Sequence, residues 1–231
     1  MTDYLNQFAF GIYPYLCLAV FLIGSLVRFD REQYSWRSGS SQLLRRSQLR
    51  WGSNLFHIGI LLLFLGHLAG LLTPHEVYTL FVSVEQKQLL AMIAGGIFGT
   101  LCFIGLTLLI HRRLTGPRIR ATSTKMDIFV VLLIWVQLVL GLYSIYASSH
   151  HLDGSVMLVL AEYCQRLVTF RGLDVNYLAD LPWVYKAHLV LGFTIFLVFP
   201  FSRLVHIWSA PVFYVLRPYQ IVRRRAAKKV A

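Results

Sequence analysis

Long uncharged hydrophobic runs alternate along this chain with short stretches that hold most of its charged residues. An α-helix needs about 20 residues to cross the hydrocarbon core of a bilayer. Five runs reach about that length, and they comprise residues 4–27, 51–73, 89–110, 128–147 and 183–208. The pattern therefore predicts an all-α integral membrane bundle of five transmembrane helices, forming a single membrane domain over residues 1–231.

The composition agrees with a membrane protein. Hydrophobic residues make up 57% of the chain and charged residues only 14%, whereas soluble domains average about 25% charged residues. The longest stretch between the runs, residues 148–182, contains the segment VMLVLAEYCQRLV. This segment predicts an amphipathic helix that lies on the membrane surface.

The basic residues are concentrated in alternate connections. Of the 22 Lys and Arg residues, 18 lie within residues 28–50, 111–125 and 203–231. Basic loops of membrane proteins stay on the cytoplasmic side. We therefore predict that the N-terminus is outside, in the periplasm, and the C-terminus is cytoplasmic, with residues 209–231 as a basic cytoplasmic tail.

Four histidines lie inside two of the runs. His57 and His67 belong to the second run, and His188 and His206 belong to the fifth. Ionisable residues at such depth are costly and usually functional, and a neutral imidazole is a good ligand for haem iron. Because the two helices run in opposite directions, the histidines pair by depth: His67 with His188 in the outer half, and His57 with His206 in the cytoplasmic half. This pairing predicts two bis-histidine b haems, held non-covalently because the chain has no CxxCH motif.

Helical geometry adds two expectations. Eighteen residues make five helical turns, so His188 and His206 should point in the same direction, and a bend is expected at Pro200. A stripe of small residues on the second helix is typical of close porphyrin approach or of ordinary helix packing, and it comprises Gly59, Gly66 and Gly70.

Simpler interpretations remain for these histidines. Any one of them could bridge two helices by hydrogen bonds, but four in depth-matched pairs favour haem. A haem-free transporter or assembly scaffold, in which the histidines bind a metal ion or relay protons, belongs to another class of function. Gln137 is the one strongly polar interior residue of the fourth run, which argues mildly against a polar conduit.

Two basic residues are further candidates. Arg203 precedes His206 by three residues and could pair with a propionate of the inner haem, or extend from a helix end to the membrane surface. Lys87 lies at the outer start of the third helix, where it could hydrogen-bond a quinol near His67. Its alternative role is that of a solvated lysine paired with Glu85.

Several segments resemble a known family, the γ subunit of membrane-bound respiratory nitrate reductase. The segments that carry the resemblance are SNLFHIGIL, GHLAGLLTPH, HRRLTGPRIRATS, HLVLG and FPFSRLVHIWSAPV. The likeness extends over nearly the whole chain, from IYPY near the start to YQIVR near the end. It implies a di-haem cytochrome b subunit in the bacterial cytoplasmic (inner) membrane, with His57 and His206 on the inner haem and His67 and His188 on the outer one.

The resemblance also implies how the subunit works. Quinol would be oxidised near the outer haem, in a site that includes Lys87 and His67, and protons would be released outside. Electrons would pass to an iron–sulfur β subunit and then to a molybdenum-containing α subunit, both cytoplasmic. A di-haem subunit of a formate dehydrogenase or hydrogenase is the alternative within the same chemical class, and the physics of the sequence does not separate the two.

Overall fold

The computed structural model describes residues 2–36, 44–172, 175–178, 180–209 and 218, and all regular structure in these ranges is helical. The α-helices are α1 (Thr2–Asn6), α2 (Tyr13–Arg31), α3 (Arg46–Leu72), α4 (His75–Tyr78), α5 (Val84–Thr115), α6 (Pro117–Ala121), α7 (Lys125–Ser148), α8 (Ser155–Thr169) and α9 (Trp183–Val198). A π-helical segment, Gln7–Ile12, joins α1 to α2, and 3-10 turns cover Gln33–Ser35, Val175–Leu178, Phe199–Phe201 and Arg203–Ser209.

Five helical segments are long and apolar enough to span a membrane, as the hydrophobic runs predict. They are Tyr4–Arg31, Arg46–Leu72, Val84–Thr115, Lys125–Ser148 and Trp183–Phe201. The first four reach further into the charged flanks than the apolar runs do, because helix propensity and caps, not hydrophobicity, decide where a helix ends. Most of the predicted tail, from residue 210 onwards, lies outside the described residues apart from Pro218.

The five spans pack in the order α3, α5, α7, α9, α2. Contacts between α3 and α5 pair Gln48 with Leu108 at one end and Gly59 with Cys102 further along, so these two helices are antiparallel. The first and fifth spans are parallel, since Tyr13 Oη contacts Thr194 Oγ1 at 2.8 Å and Arg28 contacts Pro200. We name the end where α2, α5 and α9 finish the basic end, and the opposite one the far end.

Two clusters of buried side chains hold the bundle together. The first lies where α2, α8 and α9 meet, and its buried members include Phe10, Cys17, Tyr163, Leu167, Val184 and Phe193. The second lies between α3, α5 and α7 and is built on Cys102, Leu106 and Leu138. The amphipathic segment predicted within residues 148–182 is helix α8, which packs against α3 and buries Ala161, Tyr163 and Leu167.

The fifth span is not one continuous helix. Helix α9 ends at Val198, a 3-10 turn follows through Pro200, and Ser202 is extended with φ −120° and ψ −179°. Proline has no N–H to donate and crowds the preceding turn, so the helix stops there. The prediction of one continuous helix over 183–208, on which the common direction of His188 and His206 was based, is therefore wrong, because His206 lies beyond the break.

Candidate functional site

The histidine pair at the far end is brought together by α3 and α9. The rings of His67 and His188 have centroids 6.3 Å apart, with their planes inclined by 31°. Two imidazoles on opposite axial positions of one metal ion have centroids roughly 6 Å apart, since each metal–nitrogen bond is about 2 Å. The separation therefore fits a bis-histidine metal centre.

Three of the four histidines have their Nδ1 atom held by a main-chain carbonyl. Nδ1 donates to Ser53 O at 2.7 Å in His57, to Leu63 O at 2.8 Å in His67 and to Arg203 O at 2.5 Å in His206. A carbonyl oxygen can only accept, so the proton sits on Nδ1 and Nε2 keeps its lone pair. Metal-binding histidines are usually oriented in this way.

His188 differs because its ring is enclosed by helix α7. Its Nδ1 is buried without a hydrogen-bond partner among the described residues, and so is Gln137 Oε1. Gln137 Nε2 donates to the main-chain oxygen of His188 at 3.0 Å and lies 3.3 Å from its Nε2. A buried polar atom without a partner is unfavourable, so this ring needs a further partner that the described residues do not supply.

Gly141 makes room for this ring. A Cβ added at Gly141 would lie 3.0 Å from His188 Cε1, tighter than nearly all real contacts. Sequence reasoning missed Gly141, although a glycine inside an apolar helix costs about 1 kcal/mol relative to alanine and so signals a close approach. The glycine alone does not indicate which side chain packs against it.

The predicted glycine stripe on α3 is divided between two faces. Gly59 lies against α5, where an added Cβ would be 2.6 Å from the main-chain nitrogen of Cys102. Gly66 and Gly70 face open space, with nothing among the described residues within 4 Å of an added Cβ. The packing interpretation therefore holds for Gly59, and the surface beside His67 is free to admit a large planar group.

The basic-end histidines are not brought together in the same way. His57 is exposed on α3 and His206 is half-buried. Within the described ranges no hydrogen bond or ring contact joins them. The described residues also contain no group of three or more His, Cys, Asp or Glu side chains arranged for a metal ion, but an axial haem site requires only two protein ligands.

Lys87 is buried, with 9% of its surface exposed. Its Nζ lies 3.5 Å from the centroid of the Tyr78 ring, a cation–π contact, and has no hydrogen-bond partner among the described residues. Glu85 instead accepts a hydrogen bond from Ser83 Oγ at 2.7 Å, within the cap of α5. The solvated Lys87–Glu85 pair considered above is therefore not the arrangement observed.

Tyr78 connects Lys87 to a small cavity at the far end. Its Oη is hydrogen-bonded to His75 Nδ1 at 2.9 Å. A cavity of about 170 Å³ lies between α4 and α8, lined by His75, Tyr78, Leu158, Ala161, Glu162 and Gln165. Sequence reasoning did not single out Tyr78, because nothing in its local sequence indicates that Lys87 would fold over it.

Arg203 makes an ion pair with Asp127, at the start of α7. Nη2 donates to Asp127 Oδ2 at 2.7 Å, and Nε contacts Oδ1. The carboxylate is 8% exposed and also accepts from the main-chain nitrogen of Thr124 at 2.8 Å. Arg203 is thus held within the protein and does not simply extend to the membrane surface, while its pairing with a propionate stays a prediction.

Comparisons with known proteins agree on one family. Residues 6–225 match the family described as nitrate reductase gamma subunit. The respiratory nitrate reductase 1 gamma chain of Escherichia coli is 52% identical over 96% of this chain and 99% of its own length. The respiratory nitrate reductase 2 gamma chain of the same organism is 53% identical over 97% and 100%. The nitrate reductase gamma chain of Bacillus subtilis is 34% identical over 96% and 99%.

Proposed function

Because this chain belongs to the nitrate reductase gamma subunit family, we propose that it is the di-haem cytochrome b membrane anchor of a respiratory nitrate reductase and that it oxidises quinol. The observation that carries the proposal is the 6.3 Å separation of the His67 and His188 rings. Exposed His67 of α3 meets half-buried His188 of α9, with space for a planar group beside Gly66 and Gly70 among the described residues.

Four histidines hold the two haems in this proposal. His67 and His188 would hold the haem at the far end, and His57 and His206 would hold the haem at the basic end. Each haem supplies a one-electron carrier when bound. The main-chain carbonyls behind His57, His67 and His206 keep Nε2 available for the iron.

Quinol binds at the far end, near His67 and Lys87. The Lys87 ammonium is buried and its donors are uncommitted among the described residues, so it can donate to a quinol oxygen and favour the developing negative charge. The hydrogen-bonded pair of Tyr78 and His75 lies next to Lys87 and can carry the released protons towards the surface.

The basic end faces the cytoplasm in this proposal, and the concentration of Arg and Lys there supports this orientation. Electrons leave at this end to an iron–sulfur beta subunit and then to a molybdenum-containing alpha subunit. Protons leave outside, from a protein in the bacterial cytoplasmic membrane. Each elementary charge separated in this way stores about 2.3 kcal/mol per 100 mV of membrane potential.

The first test is a reduced-minus-oxidised optical spectrum of the purified full chain in detergent, with haem quantified per polypeptide. Two low-spin b haems per chain are expected. A chain without haem, after expression with sufficient haem supply, would contradict the proposal and favour a haem-free transporter or scaffold. Quinol oxidation by the assembled complex, with nitrate as electron acceptor, then tests the direction of electron flow.

A further inference from the structure

The break in the fifth span leaves main-chain groups that a continuous helix would satisfy internally. The carbonyls of Pro200 and Ser202 lie at and just beyond the end of the helical segment. Carbonyls at a helix end need partners from side chains, solvent or neighbouring elements. The direction in which the chain continues towards His206 is therefore set by whatever holds these groups.

Helix α2 holds the break from one side through Arg28. Nη1 donates to Pro200 O at 2.6 Å and to Ser202 O at 2.8 Å, while Nε donates to Ser35 Oγ at 3.1 Å. One turn earlier on the same face, Gly24 lies directly against Pro200, where an added Cβ would approach its ring at 2.9 Å. The last turns of α2 thus pack against the break in the fifth span and hydrogen-bond to it.

Helix α7 holds the next residue from another side. Asp127 Oδ2 accepts from Arg203 Nη2 at 2.7 Å, and Asp127 Oδ1 contacts Arg203 Nε. Both carboxylate oxygens therefore bind the guanidinium. The carboxylate cannot move freely, because it also caps α7 through the main-chain nitrogen of Thr124. Arg113 Nη1 lies 3.9 Å from Oδ2 and adds positive charge beside it.

We propose that Arg28 and Asp127 are positioning residues for His206. Arg28 holds the main chain at Pro200 and Ser202, and Asp127 holds the side chain of Arg203, whose carbonyl accepts from His206 Nδ1 at 2.5 Å. The imidazole is thereby oriented by residues from α2 and α7, whereas His67 is oriented by Leu63 of its own helix. The inference rests on the proposed role of His206 as an axial ligand.

The test uses the full chain carrying Arg28→Gln or Asp127→Asn, each of which removes a charge and keeps a polar side chain. Matched controls are Arg31→Gln and Asp30→Asn, exposed residues in the last turn of α2. Haem per chain and the midpoint potential of each haem are measured by optical redox titration. Loss of a group that orients a metal ligand typically weakens binding by about 10- to 100-fold.

The expected result is that both variants lose or shift the basic-end haem alone, while the far-end haem and both controls match the wild type. Two haems with unchanged potentials in both variants would overturn the positioning role and leave the proposed function intact. Equal loss of both haems would also overturn it, because the effect would then be general and not local to His206. A wild-type chain without haem would instead overturn the proposed function.

Discussion

The far end and the basic end of the bundle fix their histidines in different ways. At the far end, His67 and His188 lie inside the uninterrupted helices α3 and α9, and their rings are 6.3 Å apart. At the basic end, His57 lies on the same long helix, but His206 follows a break at Pro200 and Ser202. The first pair depends on helix register, and the second depends on long-range contacts.

This difference explains which substitutions should disturb the orientation of each histidine pair. A helix transmits orientation through its own hydrogen bonds, so only direct changes to the ring environment disturb His188. After a break, orientation has to come from other elements, here α2 and α7. We therefore expect the basic-end pair to be sensitive to residues that are far from it in the sequence.

Removal of a ligand has the largest expected effect and tests the pairing itself. His206→Ala or His57→Ala should remove the basic-end haem and leave the far-end haem in place, and His67→Ala or His188→Ala should do the reverse. Haem per chain and optical spectra of the purified variants measure this. His150→Ala, in an exposed turn, is the control. Retention of both haems in any ligand variant would refute the assigned pairs.

Lys87→Met comes next and affects only the far end. Loss of a charged hydrogen-bond donor should slow quinol oxidation roughly 10- to 100-fold, with both haems still bound. Steady-state quinol oxidation by the assembled complex measures the rate. Glu85→Gln serves as control, because Glu85 is engaged with Ser83. Equal slowing in both variants would restore the Lys87–Glu85 pair as the explanation.

Gly141→Ala should have a smaller effect, confined to the far-end haem. The new methyl group would lie 3.0 Å from the His188 ring and force it to move by a few tenths of an ångström. A shifted midpoint potential with haem still bound is the expected outcome of the redox titration. Gly96→Ala is the matched control, since nothing among the described residues lies within 4 Å of its added Cβ. A similar shift in both variants would show that Gly141 has no special relation to His188.

The packing of α8 at the far end has the smallest expected effect on either histidine pair. Burial raises the pKa of the Cys164 thiol to about 11, above the ordinary value of 9.0. At neutral pH its thiolate is therefore roughly 100-fold scarcer than that of an ordinary cysteine, and labelling should accelerate as the pH rises. Maleimide labelling of a chain with Cys164 alone measures this, against a chain whose single cysteine is Val168→Cys, half exposed on the same helix. Equal rates at neutral pH would show that α8 is not packed as described.

Much of the fold follows from local sequence. The five spans and the helical segment of residues 148–182 could be predicted from hydrophobicity alone, and the structure has helices there. The meeting of His67 and His188 could be predicted because both lie at matching depths in unbroken antiparallel helices. The length of an apolar run and the regular rise of a helix contain this information.

The rest depends on contacts that have no local signal. Pro200 indicates that a helix will bend, but not where the chain goes next, so the direction of the His206 side chain could not be predicted. Asp127 is recognisable as a helix-capping carboxylate, yet its pairing with Arg203 joins residues 76 apart. Lys87 could be assigned either to solvent or to a buried site until Tyr78 was seen beneath its ammonium.

The hydrogen bond from Arg28 to the main-chain oxygen of Ser202 also affects the order in which the two histidine pairs form during synthesis. The two residues are 174 positions apart, so this contact closes only after residue 202 has left the ribosome. His188 emerges 18 residues before His206, and its partner His67 is by then already in place. During synthesis, His67 and His188 are therefore able to meet before the residues that hold the break near His206.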